Sequence, residues 1–218
     1  GVAHEINNPL TIISALATRT KKHLQDSSIS LTKSEENLDK IVGTVDRIAK
    51  IIHGLRAFSR DSNGDIFRVK KVNEIIEMTL ELCQERFKDN GIDIRLELLP
   101  LAEVECREVQ IVQVLVNLLN NSLDAIQSLP IKWIKIVVFE KENSIGIQVI
   151  DSGLGIKESV AERMMLPFYT TKDVGKGTGL GLSISKGIVE SHQGKFYYKR
   201  EDGHTSFVIE LKKKIKKA

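Results

Sequence analysis

At 218 residues, 41% hydrophobic and 28% charged, the chain has room for two modest domains and enough apolar content for a real core. Wholesale disorder is excluded on that composition. Aromatic residues make up only 5%, with one Trp, which disfavours a nucleic-acid platform of stacked rings. Net charge is +3, but five lysines crowd the last seven residues, Lys212 to Ala218, and without them it falls to −2. The body is therefore slightly acidic and offers no general phosphate-binding surface, and the basic end reads as solvated. Cys83 and Cys106, both among apolar neighbours, read as buried reduced thiols of a cytoplasmic chain. No apolar run approaches the roughly 18 residues of a membrane span, and no signal peptide opens the chain. Gly1-Val2-Ala3-His4 enters a helical pattern without a cap, so the expectation is a fragment of a longer parent, itself a candidate for membrane anchoring.

Two amphipathic helices are predicted first. Ile6, Leu10, Ile13, Ala17 and Leu24 form one apolar stripe. After the polar break Gln25 to Ser30, Leu38, Ile41, Val45, Ile48, Ile52 and Leu55 follow at spacings of 3, 4, 3, 4 and 3, a heptad seam. Ser34, with Glu35 and Glu36 behind it, is the expected start of the second helix. Two antiparallel helices cannot bury both stripes alone, so a four-helix bundle made by two copies is the natural solution. Asp61-Ser62-Asn63-Gly64-Asp65 reads as a linker.

From about residue 66 helices and strands alternate. Helices are predicted over 72–89, 108–127 and 180–192, and strands over 92–99, 134–141, 144–150, 194–199 and 206–211. Three helices against a mostly antiparallel sheet make an α+β sandwich. The expected division is a helical hairpin over 1–62, an α+β domain over 66–213 and a basic tail over 214–218.

Three groups of residues carry chemistry. On the first helix, at about 100° per residue, Asn8 lies only about 40° from His4 and roughly opposite the apolar stripe. Glu5 adjoins His4, and Pro9 removes a helical donor just beyond. A carboxylate that orients one imidazole nitrogen and takes its proton leaves the other free to attack, which makes His4 a candidate nucleophile. In the predicted helix over 108–127, Asn117 and Asn121 sit one turn apart among Leu and Val. Neutral oxygens at that spacing suit a hard cation shared with phosphate oxygens.

The third group is glycine-rich. Asp151 ends a strand beside Gly153 and Gly155, where a carboxylate can accept from the amino group of a closely approaching base. Gly175 to Ser183 leads into a helix whose free N–H groups suit phosphate. It lacks the spacing of a Walker A loop and of a Rossmann fingerprint.

The order of these groups along the chain resembles the sensor histidine kinases of two-component systems. His4-Glu5-Ile6-Asn7-Asn8-Pro9-Leu10 looks like their phosphoacceptor box, and the asparagine helix like their N box. Asp151 to Gly155 is similar to the first glycine box, Leu166-Pro167-Phe168-Tyr169-Thr170-Thr171-Lys172 to the F box, and Gly175 to Leu182 to the second glycine box. The resemblance implies a dimerising, histidine-phosphotransfer hairpin followed by an ATP-binding domain of the Bergerat type, and a cytoplasmic homodimer that acts on a response-regulator receiver, with no role in nucleic-acid binding.

Carried over residue by residue, it makes His4 the phosphorylated residue, Glu5 its acid–base partner and Asn8 a positioning group for transfer and for dephosphorylation. Asn121 becomes the ligand of Mg2+ and Asn117 a phosphate-side contact. Asp151 takes the adenine amino group, with Gly153 and Gly155 allowing close approach. Gly177, Thr178, Gly179, Leu180 and Gly181 line the phosphates of ATP under a lid over 167–176, from which Lys172 reaches the terminal phosphate. Thr205 stands where the family often has an adenine-side Thr, with His204 in place of the usual Gly. Asp124 stands where many relatives carry a basic residue. The alternatives are a nucleotide-binding dimerisation scaffold and an ATPase of the gyrase, mismatch-repair or chaperone type. The latter carries a general-base Glu where this chain has Asn117.

Overall fold

The computed structural model describes residues 2–25, 31–59, 66–173 and 177–214, and no side chain of residues 1–9 or 49–59. It divides into two compact units, Gly1–Ser59 with Phe168–Leu180, and Arg60–Pro167 with Gly181–Ala218. The linker expected at 61–65 and the last lysines lie outside the described residues.

The first unit is built on α1 (Val2–Gln25) and α2 (Leu31–Ser59), packed against each other. The second helix starts at Leu31 rather than at Ser34. Ser34 and Asn37 are buried, so they face inward from the helix instead of capping its end. The sheltered row runs Ile13, Leu16, Thr20 and His23 on α1, and Ser34, Asn37, Ile41, Thr44 and Ile48 on α2. This splits the predicted stripes. Ile13, Ile41 and Ile48 are sheltered, whereas Leu10, Leu24, Leu38 and Val45 remain 49–67% exposed. The difference is geometric: one neighbouring helix covers only one edge of an apolar stripe. Ile6, Ile52 and Leu55 fall on side chains outside the described ones.

The second unit is an α+β sandwich. Its elements are β1 (Arg68–Lys71), α3 (Val72–Asp89), β2 (Asp93–Glu97), β3 (Glu103–Cys106), α4 (Glu108–Ile126), β4 (Trp133–Glu140), β5 (Ser144–Asp151), α5 (Glu158–Ala161), α6 (Gly181–Ser191), β6 (Lys195–Glu201) and β7 (His204–Lys212). Five strands form one sheet in the order β2-β4-β5-β7-β6, with β2 parallel to β4 and every other pair antiparallel. β1 and β3 make a separate antiparallel ribbon that the sequence reading missed. Each is four residues long and mostly charged or polar, too short to show a period of two.

The strand period explains the core. On β4 the residues Ile134, Ile136 and Val138 point one way, opposite Val149 and Ile147 of β5, which in turn face Phe207 and Ile209 of β7. All are buried with Leu115, Leu118, Leu119, Ile126 and Val189 of the helices. The other face of the sheet carries Gln148, Ser206 and Glu210, joined by Gln148 Nε2 donating to Ser206 Oγ at 2.9 Å and Tyr197 donating to Glu210 at 2.7 Å. Cys83 and Cys106 are both buried free thiols, and burial pushes Cys83 up. The basic end begins inside the fold. Lys212 pairs with Ser144 in β7, and Lys213 donates its backbone N–H to Asn143 and pairs with Glu140. Backbone pairing at the end of β7 fixes the main chain of these two lysines, while Lys212 stays exposed and Lys213 partly so.

Candidate nucleotide site

The apolar row of β5 continues from Ile147 and Val149 to Asp151, which the same alternation turns toward the helices between Ile134 and Thr205. The result is a carboxylate 2% exposed at the end of an apolar row. Burial pushes Asp151 above the ordinary carboxylate range. Opposing that rise are the Gly153 N–H, which donates to Oδ1 at 2.9 Å, the side chains of Ser122 and Thr205, and the nearby charge of His204. Asp151 is therefore an acceptor fixed in direction from three elements.

Backbone at this end comes close to the carboxylate. A Cβ at Gly153 would lie 2.7 Å from Asp151 Oδ1, so no side chain fits there without displacing the acid. Gly155 has φ +83, and a Cβ there would lie 3.0 Å from Nε of Arg200. Arg200 also donates to the carbonyls of Leu154, at 3.0 Å, and Gly203, at 3.2 Å, and clasps the turn after Asp151. His204 interacts with the Gly153 carbonyl through Nδ1 at 3.1 Å and meets the edge of Trp133. It leaves Thr205 in contact with Asp151, although the usual Gly is missing before that Thr.

Along α4 the asparagines divide. Asn117 donates from Nδ2 to Ser185 Oγ of α6 at 2.9 Å, and its Oδ1 presses on Gly181, where a Cβ would stand 2.3 Å away. Asn121, one turn on, is half-buried on the same edge. Ser122 sits about 100° further around the helix and so reaches Asp151 from the buried side. The sequence reading passed over Ser122 and Ser185. Their signal was a small hydroxyl on an otherwise apolar helix face, which sequence alone does not separate from a space-filler.

The segment Phe168–Leu180 belongs to the other compact unit. Its ends close on each other: the Phe168 N–H donates to the Gly179 carbonyl at 2.9 Å, and a Cβ at Gly179 would lie 2.4 Å from Phe168 C. Phe168 at φ 67 and Gly179 at φ 65 both adopt the left-handed conformation that this closure requires. Within the loop the Lys172 N–H donates to Thr170 Oγ1 at 3.1 Å, the Leu180 N–H to Thr178 Oγ1 at 3.4 Å, and Gly177 lies against Thr170 and Lys172. His4, Glu5 and Asn8 are positions of α1, but their side chains lie outside the described ones. Among the described residues no helix is long and apolar enough to cross a membrane.

Comparisons with known proteins agree with this layout. The family described as histidine kinase-, DNA gyrase B- and HSP90-like ATPase matches residues 106–215, and the His Kinase A (phospho-acceptor) domain matches residues 1–64. The chain is 34% identical to the C4-dicarboxylate transport sensor protein DctB of Rhizobium meliloti over 98% of its own length and 34% of that protein's. It is 34% identical to the sensor protein FixL of Bradyrhizobium diazoefficiens, over 90% of its length and 39% of the relative's. It thus spans roughly a third of such relatives. Among solved structures, the catalytic domain of histidine kinase ThkA aligns at TM-score 0.61 and 32% identity, over 67% of this chain and 97% of that one. Histidine kinase ThkA in complex with the response regulator protein TrrA aligns at 0.73 and 30% identity, over 98% of this chain and 60% of that one. The chain belongs to the histidine kinase-, DNA gyrase B- and HSP90-like ATPase family, as the catalytic core of a two-component sensor histidine kinase.

Proposed function

We propose that this chain phosphorylates its own His4 from ATP and passes the phosphoryl group to an aspartate of a response-regulator receiver. The observation that carries the reading is Asp151, a buried carboxylate held by Gly153, Ser122 and Thr205 at the end of β5. Its fixed acceptor suits an exocyclic adenine amino group, and the close backbone at Gly153 suits a flat ring. The family match over 106–215 and the phospho-acceptor match over 1–64 support the two halves of the reaction.

The residues then divide the work. Asp151, Ser122 and Thr205 fix the base, and Asn117 and Gly181 hold the start of α6 close beside α4. Gly177, Thr178, Gly179 and Leu180 serve the phosphates, and Lys172 the terminal one. A divalent ion, Mg2+ by its hardness, neutralises charge on the phosphate oxygens when bound, and Asn121 offers it a neutral amide oxygen. An imidazole nitrogen of His4 forms the new N–P bond as the bond from the terminal phosphorus to ADP breaks, and Glu5 takes the proton from the other ring nitrogen. Hydrolysis is disfavoured. An ATPase needs a base for water, and Asn117 is a neutral amide already donating to Ser185.

The hairpin acts as a dimer. Leu10, Leu24, Leu38, Val42 and Val45 are 49–67% exposed, apolar area that a second copy would cover in a four-helix bundle. The proposed domain boundaries are 1–62 for this hairpin and 66–213 for the ATP-binding part, with 214–218 as a tail.

Incubation with terminally labelled ATP and magnesium tests the reading. The label on the chain is expected to be lost in acid and kept in alkali, as a phosphoramidate is, and an acid-stable label would point to Ser or Thr. Asn8 carries the reverse activity by orienting water at the receiver's phospho-aspartate. Asn8→Ala is expected to slow loss of phospho-receiver in the presence of ADP by roughly 10- to 100-fold, the scale of lost orientation. Phosphorylation of His4 falls only slightly in the same variant. An unchanged dephosphorylation rate would make Asn8 a surface residue of the helix.

A further inference from the structure

We propose that Arg86 is a phosphate-binding residue of the nucleotide site, supplied by α3 to the crest of α4 and held there by Asn120 and Asp124. The proposal rests on the nucleotide reading above and extends it. α4 contains no Lys or Arg of its own, and the crest that carries Asn117 and Asn121 also carries the carboxylate of Asp124. Asp124 is three residues beyond Asn121, so the two are neighbours on the helix surface. A nucleotide phosphate brought to Asn121 would meet that negative charge on a helix with no basic residue of its own.

Arg86 provides the offset. Its Nη1 donates to Asn120 Oδ1 at 2.7 Å, and its Nη2 lies 3.6 Å from Asp124 Oδ1. The guanidinium therefore spans one turn of α4, from Asn120, which adjoins Asn121 in the chain, to Asp124. As a purely structural clamp the arrangement is weak. The Arg86 side chain is 55% exposed, the ion pair to Asp124 is long, and pairs of that kind contribute little to stability. As a phosphate site it is well prepared. One hydrogen bond donated to a neutral amide oxygen holds the fork in place, and the loose carboxylate contact is readily exchanged for a bidentate phosphate contact. The three asparagines of α4 then have separate tasks. Asn117 ties α4 to α6, Asn121 serves the metal, and Asn120 positions Arg86.

Calorimetric titration of adenosine, ADP and magnesium-ATP into the wild-type chain, Arg86→Ala, Arg86→Lys and Asp151→Asn tests this, with the unfolding temperature of each recorded. Arg86→Ala is expected to weaken ATP by about tenfold, the scale of one charge-assisted contact, and ADP by less. Adenosine stays within about twofold on the same reasoning, because it carries no phosphate. Arg86→Lys falls between, since it keeps the charge and loses the fork. Equal weakening of all three ligands together with a lowered unfolding temperature would make Arg86 a structural clamp and overturn the proposal. So would an unchanged affinity for ATP. Asp151→Asn separates this from failure of the site itself: it should weaken adenosine and ATP alike. A wild-type chain that binds none of the three would overturn the nucleotide reading and Arg86 with it.

Discussion

His4→Gln abolishes incorporation of the terminal phosphate of ATP, while ATP affinity stays within a few-fold of wild type. Glutamine approximates the reach of histidine and keeps a donor, so the exchange is mild for the helix. It removes the one feature the reaction needs, a ring nitrogen with an available lone pair, because the amide nitrogen's pair is delocalised. Asp151 and Gly153, assigned to the base, and Asn121, assigned to the metal, belong to the α+β unit, whereas His4 is a position of α1 in the other. Filter-bound label and a parallel binding titration read the two effects separately. Label that persists in His4→Gln would place the acceptor elsewhere.

Asp151→Asn has the next largest effect and shows in two directions. An amide at this position must meet the Gly153 N–H on one side and the adenine amino group on the other, and both are donors. Whichever way the amide turns, its own NH2 faces a donor. A lost hydrogen bond to a charged group is worth about 1.5–3 kcal/mol, or roughly 10- to 150-fold in affinity. Asn121→Ala, by contrast, is expected to remove the magnesium-dependent part of the affinity and leave adenosine binding intact.

The second direction is stability. Burial raises the pKa of Asp151 in the folded chain, so the charged acid opposes folding above that pKa and the opposition fades as pH falls through it. Asp151→Asn should therefore melt higher than wild type at neutral pH without nucleotide. The gap should narrow toward acid, where wild type is protonated too. Thermal melts of both proteins across pH read this, and a lower melting point for Asp151→Asn at neutral pH would contradict it. A site residue that costs stability is what a binding carboxylate should be.

These residues were legible in the sequence to different degrees, for physical reasons. Helix α3 at Val72–Asp89 stands where the apolar period put it, because a long amphipathic repeat is a strong signal. The place of Asp151 at the end of β5 was legible because an alternating strand stopped by glycines is a local signal. Its partners were not. Ser122 and Thr205 reach it through the packing of α4 and the pairing of β5 with β7, contacts 29 and 54 residues away along the chain that no local pattern encodes. Ser34 misled because a hydroxyl ahead of two glutamates looks like a cap, yet burial of Ser34 against the hairpin's interior decided its place. Arg86 was invisible for the same reason as Ser122: an exposed Arg on a helix gives no hint that the next helix holds its head.

The most direct test of the central claim is fragmentation mass spectrometry of the chain after reaction with magnesium-ATP, kept at neutral to alkaline pH throughout. The account predicts one phosphoryl group on the imidazole of His4, absent from His4→Gln and from a reaction without magnesium. A phosphoryl group on any other residue, or steady release of inorganic phosphate with no phosphorylated chain at any time, would contradict it.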